Sequence, residues 1–216
     1  MSINKSYAVF GLGRYGFAVA KELVENGAEV LAVDCDQTIV NSAVMELPLC
    51  KCADVTDAEV IKRLGISQVD VVVVAMANNL EASVMAVMLC KEIGVRTVIA
   101  KSGSEEHSKI LKKVGADKVV FPEKESGIRL AKNLLSSDFV DVLELSNDVS
   151  LIDLSVKAEW EGKTLIELDL RKRYGVNVIA TRKGNSMNIN VDPHMQLEGD
   201  MQLVVITNTS NLNKLK

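Results

Sequence analysis

The stretch Gly11-Leu12-Gly13-Arg14-Tyr15-Gly16 follows a short apolar run, Tyr7–Gly11, and opens a segment whose apolar residues recur at helical spacing. A Gly-x-Gly-x-x-Gly sequence between a strand and a helix is typical of a dinucleotide-binding turn. The first glycine permits a tight turn, the second lets backbone approach a phosphate, and the third lets the helix pack on the strand. Backbone N–H groups at the start of the helix would then face an anion. The stretch therefore predicts a nucleotide site.

Strand and helix patterns alternate on both sides of this turn as far as residue 135. The run Val69–Ala75 is almost continuously β-branched, as expected of a central parallel strand that is covered on both faces. The predicted strands are 7–11, 29–34, 49–53, 69–75, 95–101 and 118–121, and the predicted helices are 14–26, 37–46, 57–64, 80–93, 105–114 and 123–135. This alternation predicts a doubly wound parallel sheet.

The pattern changes after residue 136, where the spacing shortens and strands alternate between apolar and polar residues. The second part is predicted to hold strands at 150–157, 176–182, 187–191 and 201–207, and one helix at 165–173. We therefore predict an α/β protein, in which a Rossmann-like doubly wound parallel sheet is followed by a small α+β C-terminal domain. The predicted boundaries are 1–136 for the first domain, 137–147 for a mixed connector and 148–216 for the second domain.

Composition excludes several classes of protein. The chain has 216 residues, 48% hydrophobic and 25% charged, which is ordinary for a globular protein. A net charge of −4 and 4% aromatic residues argue against a nucleic-acid partner, because phosphates would be repelled and stacking surfaces are few. No apolar run approaches the ~20 residues of a membrane helix. The four cysteines lack zinc-site spacing, and we expect buried thiols in a reducing cytoplasm.

Polar residues at predicted strand ends complete the candidate site. Asp34 lies 18 residues after Gly16, where a carboxylate accepts from ribose hydroxyls, and no arginine follows it to hold the 2′-phosphate of NADP. Asp54 follows the third strand and either accepts from an adenine amino group or begins a helix. The small residues and amide of 76–78 would let a ligand lie close. Arg14 either forms a bidentate pair with a terminal phosphate or is a solvated surface arginine.

Groups for catalysis are scarce. A dehydrogenase needs an acid or base beside its nicotinamide and a domain that holds the substrate. The two histidines are His107, on a predicted exposed helix, and His194, in a late turn. The second part is short and shows no Ser-His, Cys-His or paired-carboxylate pattern. We therefore predict a nucleotide sensor rather than an enzyme.

Several longer stretches together resemble a known family. In the first part they are residues 7–16, 30–34 (Val-Leu-Ala-Val-Asp), 53–57 (Ala-Asp-Val-Thr-Asp) and 121–124 (Phe-Pro-Glu-Lys), and in the second part 168–178 and 197–200. The chain resembles the Ktr/Trk-type potassium uptake regulatory subunits, which consist of an RCK N-terminal and an RCK C-terminal domain. The resemblance covers the whole chain in the right order.

The resemblance implies a cytoplasmic protein that is peripheral at the inner face of the cell membrane. It implies homodimers assembled into a ring, an octamer, beneath an integral-membrane potassium-transporting subunit. Exchange of ATP and ADP would change the conformation of the ring and so control the transporter. An NAD/NADH-binding redox sensor of the same transport is the alternative, and a small NAD-dependent oxidoreductase is a third candidate.

The site is predicted from the motif, the strand ends and the resemblance. Its nucleotide-binding residues are Gly11, Leu12, Gly13, Arg14, Tyr15, Gly16, Asp34, Asp54, Val55, Ala77, Asn78, Lys101 and Glu123. The resemblance implies that Arg14 contacts the terminal phosphate of ATP, and that Glu123 lies at the dimer interface and helps to hold a divalent cation.

The resemblance also implies that the C-terminal domain forms a dimer pocket for cyclic di-AMP, which inhibits uptake. Its candidate residues offer an apolar bed, an amide and phosphate donors: Ile166, Arg171, Asn177, Ile179, Arg182, Pro193 and His194. The same alternation is expected of any half-buried strand with a solvated basic face, so both interpretations stay open.

Overall fold

The structure is a computed structural model and describes residues 5–135, 139–146, 148–208 and 210–211. As far as residue 135, strands and helices alternate as the sequence predicts. These elements are β1 (Ser6–Phe10), α1 (Arg14–Glu25), β2 (Glu29–Asp34), α2 (Gln37–Ala43), β3 (Cys50–Cys52), α3 (Ala58–Arg63), β4 (Val71–Val74), α4 (Leu80–Glu92), β5 (Thr97–Lys101), α5 (Glu105–Lys113), β6 (Lys118–Val120) and α6 (Pro122–Leu135).

The first six strands form one parallel sheet in the order β3-β2-β1-β4-β5-β6. This is the doubly wound Rossmann order, which confirms the predicted fold class. The strand order reverses between β1 and β4, so the loops that leave these two strands diverge and open a crevice at the carboxyl edge of the sheet. The glycine turn lies at this crevice because it follows β1 directly.

Side chains of this sheet are buried on both faces. On one face, Ala8 and Phe10 of β1 pack in a core with residues of α3, α4 and α5. On the other face, Val9 packs with residues of α1 and α2. The valine run of β4 contributes to both cores, with Val72 and Val74 on the first face and Val73 on the second. A strand that is covered twice needs apolar residues at every position, which is why its sequence does not alternate.

The chain divides into two units, residues 1–123 and residues 124–216. The second sheet is antiparallel and lies in the second unit. Its strands are in the order β10-β9-β11-β8-β7, and its core surrounds Trp160. The elements are β7 (Phe139–Glu144), β8 (Val149–Ser155), α7 (Leu165–Leu168), α8 (Leu170–Tyr174), β9 (Val176–Lys183), β10 (Ser186–Asn188) and β11 (Met201–Asn208). A small α+β domain is therefore confirmed.

Local structure in this unit differs from the prediction at three places. The segment 137–147, predicted as a mixed connector, contains β7, which is held by antiparallel pairing with β8. The helix predicted over 165–173 is two short helices, because Asp169 between them takes a left-handed conformation with φ 43°. The strand predicted over 187–191 ends at Asn188. The side-chain oxygen of Asn188 accepts the backbone N–H two residues further along the chain, which forms a local turn.

The expectation of buried thiols is wrong for two of the four cysteines. Cys35 and Cys52 are exposed, Cys50 is half-buried and Cys90 is buried. The reason is that β3 is an edge strand, so a side chain on it or beside it meets solvent on one side. Among the described residues, no helix is long and apolar enough to cross a bilayer.

Candidate functional site

A groove runs along the carboxyl edge of the first sheet and has two halves. The basic half has a volume of about 650 Å³ and the apolar half about 510 Å³, and Gly11, Asp34, Met76 and Asn79 line both. Nine of the predicted site residues line the basic half: Gly11, Gly13, Arg14, Tyr15, Asp34, Ala77, Asn78, Lys101 and Glu123. Four line the apolar half: Gly11, Asp34, Asp54 and Val55.

Two glycines of the turn, Gly11 and Gly16, lie so close to neighbouring atoms that a side chain would not fit. Gly11 has φ +86°, a conformation that L-residues rarely adopt, and a Cβ there would lie 2.7 Å from the side chain of Met76. A Cβ on Gly16 would lie 1.9 Å from the carbonyl oxygen of Gly11, so only glycine lets α1 pack this closely on β1. A Cβ on Gly13 would meet no atom within 4 Å, which leaves space above the turn.

The N-terminus of α1 faces the basic half through this space. Gly13 is its N-cap, and within the described stretch around it no side chain caps the helix and no acidic residue lies in its first turn. The first N–H groups of a helix carry partial positive charge and need acceptors. The end of α1 is therefore suited to an anion such as a phosphate.

Asp34 connects the turn to the middle of the groove. One carboxylate oxygen accepts the N–H of Leu12 at 2.6 Å, and the other accepts the N–H of Asp36 at 2.9 Å. Each carboxylate oxygen has a further lone pair, which suits it to accept from a ribose hydroxyl. Leu12 and Gly16, which the sequence places in the site, do not line the groove: both are buried beneath the turn and shape it.

Lys101 and Glu123 form an ion pair in the basic half, with Nζ 2.6 Å from the carboxylate. The Lys101 side chain is 14% exposed and its Nζ lies 5.4 Å from the ring centroid of Tyr15, so the cation is contacted by both the carboxylate and the ring. The hydrogen bond from Lys101 lowers the pKa of Glu123, and the nearby charge of Arg14 contributes in the same direction. Two cations and one carboxylate therefore meet at this end of the groove.

The apolar half is a slot with an acidic rim. Val33, Val55 and Met76 give it apolar walls. Asp54 lies on the rim, where one oxygen accepts the backbone N–H of Thr56 at 2.9 Å and its hydroxyl at 2.7 Å. These hydrogen bonds lower the pKa of Asp54, so the carboxylate is charged at neutral pH. An apolar slot with a charged acceptor at its edge suits a purine ring that bears an amino group.

Four lining residues at the start of α4 were not predicted to bind: Asn79, Glu81, Ala82 and Met85. Asn79 is the N-cap of α4 and accepts the N–H of Ala82 at 3.0 Å. An asparagine just after a central strand is a helix-start signal, so the sequence did show that a helix begins at this edge. It did not show which face of that helix would meet the groove.

The prediction that His107 lies on an exposed helix surface is wrong. Its side chain is 4% exposed, because its side of α5 packs on α4. Its Nε2 lies 2.8 Å from the hydroxyl of Ser83, which is itself fully buried. His194 is exposed in a turn, where its own backbone N–H donates to the side chain of Asp192. Neither histidine lines the groove.

The second unit has a cleft of about 480 Å³ between α7, α8 and β9. It brings together three of the residues predicted to bind cyclic di-AMP: Ile166, Arg171 and Asn177. Ile166 is 54% exposed, and Arg171 and Asn177 are also exposed. An apolar side chain, a guanidinium and an amide therefore share one concave surface.

The other four candidates do not line this cleft. Ile179 and Arg182 lie further along β9, and Arg182 is paired at 2.6 Å with Asp153, whose side chain is 9% exposed. Pro193 and His194 lie in a loop, and the carbonyl of Pro193 accepts the N–H of Ile166 at 3.3 Å. Because its charge is neutralised by a buried carboxylate, Arg182 is poorly placed to serve a phosphate.

Three observations therefore coincide at one edge of the sheet: a glycine turn under a helix N-terminus, a carboxylate at the end of β2, and a groove with a basic and an apolar half. This combination defines the class of Rossmann-type nucleotide-binding proteins.

The TrkA-N domain family matches residues 7–122, and the TrkA-C domain family matches residues 149–216. The chain belongs to the TrkA/Ktr family of potassium uptake proteins. It is 35% identical to Ktr system potassium uptake protein C of Bacillus subtilis (strain 168), over 99% of this chain and 97% of that protein. It is 34% identical to Ktr system potassium uptake protein A of Vibrio alginolyticus, over the same shares. Its fold is similar to that of the GsuK channel bound to NAD, with TM-score 0.56 and 20% identity over 99% of this chain and 38% of that one.

Proposed function

We propose that this chain is a cytoplasmic regulatory subunit that senses adenine nucleotides and controls a membrane potassium-transporting subunit. The observation that carries the proposal is the continuous groove, in which the apolar half fits adenine, Asp34 fits ribose and the basic half fits phosphates. The potassium uptake role comes from the family, and the Ktr relatives match over nearly their whole length.

ATP and ADP differ by one phosphate, so a sensor must place a charge where that phosphate ends. A ligand shifts a conformational equilibrium only by its different affinity for the two states. Arg14, at the exposed start of α1, and Lys101, beneath it, are the cations in the basic half. A terminal phosphate there competes with Glu123 for Lys101. Glu123 is the second residue of α6, so loss of its ion pair with Lys101 would release the start of that helix from β5.

Replacing Arg14 with alanine should mainly remove the preference for ATP over ADP. We expect ATP affinity to fall about tenfold more than ADP affinity, because one charge-assisted contact to the terminal phosphate is lost. Calorimetric titration with both nucleotides measures this. The control is Lys21→Ala, which removes a cation of the same helix that pairs with Glu46 outside the groove. Equal losses for ATP and ADP would show that Arg14 does not read the terminal phosphate.

A divalent cation at Glu123 is not favoured by the residues of one chain. The carboxylate is held by Lys101, and the part of the chain that the structure describes has no group of three or more metal-ligating side chains. We therefore expect Glu123→Gln to strengthen ATP binding several-fold in metal-free buffer, because a competitor of the phosphate is removed. Weaker binding of ATP by Glu123→Gln in that buffer would contradict the competition.

NAD and NADH are the alternative ligands, since Asp34 and the glycine turn suit them equally. The GsuK channel, whose fold this chain shares, was solved with NAD. Thermal-shift measurements with ATP, ADP, NAD and NADH separate the two ligand classes. A sensor of ATP and ADP is stabilised most by these two, and a redox sensor is stabilised differently by NAD and NADH. For the third candidate, a small NAD-dependent oxidoreductase, turnover assays with NAD are the test.

Assembly into a homodimer and a ring completes the proposal, with the transporter at the membrane as partner. α4 supports it, because two large apolar side chains of this helix that lie outside the groove, Leu80 and Met88, are 49% and 37% exposed. A partner subunit would bury such side chains at an interface. An octamer is the expected state, and light scattering of the full chain measures it.

We propose that the cleft of the second unit binds cyclic di-AMP. The resemblance to the Ktr/Trk-type subunits implies this ligand, which is an inhibitory second messenger there. Full-length Arg171→Ala should bind the dinucleotide about tenfold more weakly, because a phosphate donor is lost. The matched control is Arg173→Ala, on the same helix, whose guanidinium lies against Tyr174 and outside the cleft. Calorimetry is the measurement, and equal affinities for the two variants would remove the cleft as the site.

A further inference from the structure

A buried hydrogen-bond chain connects the first turn of α4 to the loop that follows β5. The hydroxyl of Ser83 donates to the carbonyl of Leu80 at 2.8 Å, in the first turn of α4. That hydroxyl has one proton, so its 2.8 Å contact with Nε2 of His107 needs the ring proton on Nε2. Nδ1 then accepts the backbone N–H of Gly103 at 3.4 Å. The neutral ring with its proton on Nε2 therefore satisfies every partner in the chain.

This ring joins the loop between β5 and α5, through Gly103, to Ser83 of α4. A Cβ on Gly103 would lie 3.0 Å from the carbonyl oxygen of Ala77, so this loop is in close contact with the loop between β4 and α4. Ala77 lines the basic half, and so does Lys101, two residues before Gly103. His107 itself does not reach the groove. It acts on the groove through the positions of these two loops.

We propose that His107 is a positioning residue for the phosphate-binding half of the groove, and that protonation of its ring weakens nucleotide binding. The inference rests on the proposed nucleotide-binding function. A proton on Nδ1 turns an acceptor into a donor that faces the N–H of Gly103, so the hydrogen bond is replaced by a repulsive contact. The loop that follows Lys101 at the end of β5 is then no longer fixed to Ser83 of α4.

The pH range of the effect follows from the burial of the ring. Burial lowers the pKa of His107 below its ordinary value of 6.5, and it is the cause of the shift. The charged side chains nearest in sequence on the elements packed around the ring are Glu81, Lys101, Glu105, Glu106 and Lys109. Because the folded-state pKa is lowered, the neutral ring stabilises the fold fully above pH 6.5, and this stabilisation is lost as the pH falls through the folded pKa.

The test measures ADP affinity of the full-length chain by calorimetry between pH 7.5 and pH 5, with NAD as a second probe. Glutamine can donate to Ser83 and accept from Gly103 but does not titrate here, so His107→Gln should keep its affinity at pH 7.5. We expect the wild type to lose about fivefold more affinity than this variant on acidification. His194→Gln, which changes the exposed histidine, should follow the wild type.

A second measurement needs no variant at position 107. Because coupling is reciprocal, bound nucleotide must lower the pKa of His107 by the same factor, and NMR of the two histidine rings with and without ADP records it. Equal acid losses in the wild type and His107→Gln, or an unchanged pKa of His107 on binding, would overturn the role of His107 while nucleotide binding stands. No binding of either probe at pH 7.5 would overturn the proposed function itself.

Discussion

Gly16→Ala is expected to abolish nucleotide binding and to lower the free energy of unfolding by about 3 kcal/mol, the upper end of the cost of overpacking. A Cβ at this position would lie 1.9 Å from the carbonyl oxygen of Gly11, and backbone cannot move aside as a flexible side chain can. Either α1 shifts away from β1 or the turn opens. Both changes move the helix N-terminus off the phosphate position. Chemical denaturation measures the first effect and calorimetry the second.

Gly13→Ala is the matched control, because it changes the same turn without a clash. A Cβ at Gly13 meets no atom within 4 Å, and the residue has φ −61°, which alanine adopts freely. We therefore expect unchanged stability of the free protein but weaker nucleotide binding, since the new methyl group occupies the approach to the phosphate. A Gly16→Ala protein as stable as Gly13→Ala would contradict the close packing of α1 on β1.

Asp34→Ala is expected to weaken ATP, ADP and NAD alike by about a hundredfold, because two charge-assisted hydrogen bonds to the shared ribose are lost. The substitution also leaves the N–H of Leu12 without its acceptor, at a cost of about 1–2 kcal/mol in stability. Asp36→Ala is the control. Its side chain caps α2 through the N–H of Thr38, so its loss costs about 1 kcal/mol of stability and leaves nucleotide affinity unchanged.

Both substitutions lower stability, but only Asp34→Ala is expected to lower nucleotide affinity. Calorimetry with all three nucleotides and thermal denaturation of the free proteins give the two readouts. If Asp34→Ala bound ADP as tightly as Asp36→Ala does, Asp34 would not be the ribose acceptor and the orientation of the nucleotide in the groove would be wrong.

Features set by local sequence were predictable. The glycine turn, the valine run of β4 and the acidic residue at the end of β2 each depend on neighbours within one strand–turn–helix unit. Their placement at one edge follows from the parallel order of the strands. For the same reason Asp34 and Lys101, which lie far apart in sequence, were predicted in one site and do line the same half of the groove.

Features set by packing between distant elements were not predictable. α5 is polar overall, and a single histidine on it gives no sign that this side is buried against Ser83. The pairing of Arg182 with Asp153 joins two strands of the antiparallel sheet, so its sequence shows only a basic residue on a half-exposed strand. β7 is held by backbone pairing with β8, which the pattern of apolar residues does not report.

We propose that an adenine nucleotide occupies the groove of the first sheet. Calorimetric titration of the purified full-length chain with ADP and ATP, each alone and then in competition, tests it most directly. We expect saturable binding of both nucleotides at one site per chain, with each displacing the other, and about a hundredfold weaker binding in Asp34→Ala. A folded wild-type chain that binds neither ADP, ATP nor NAD would contradict it.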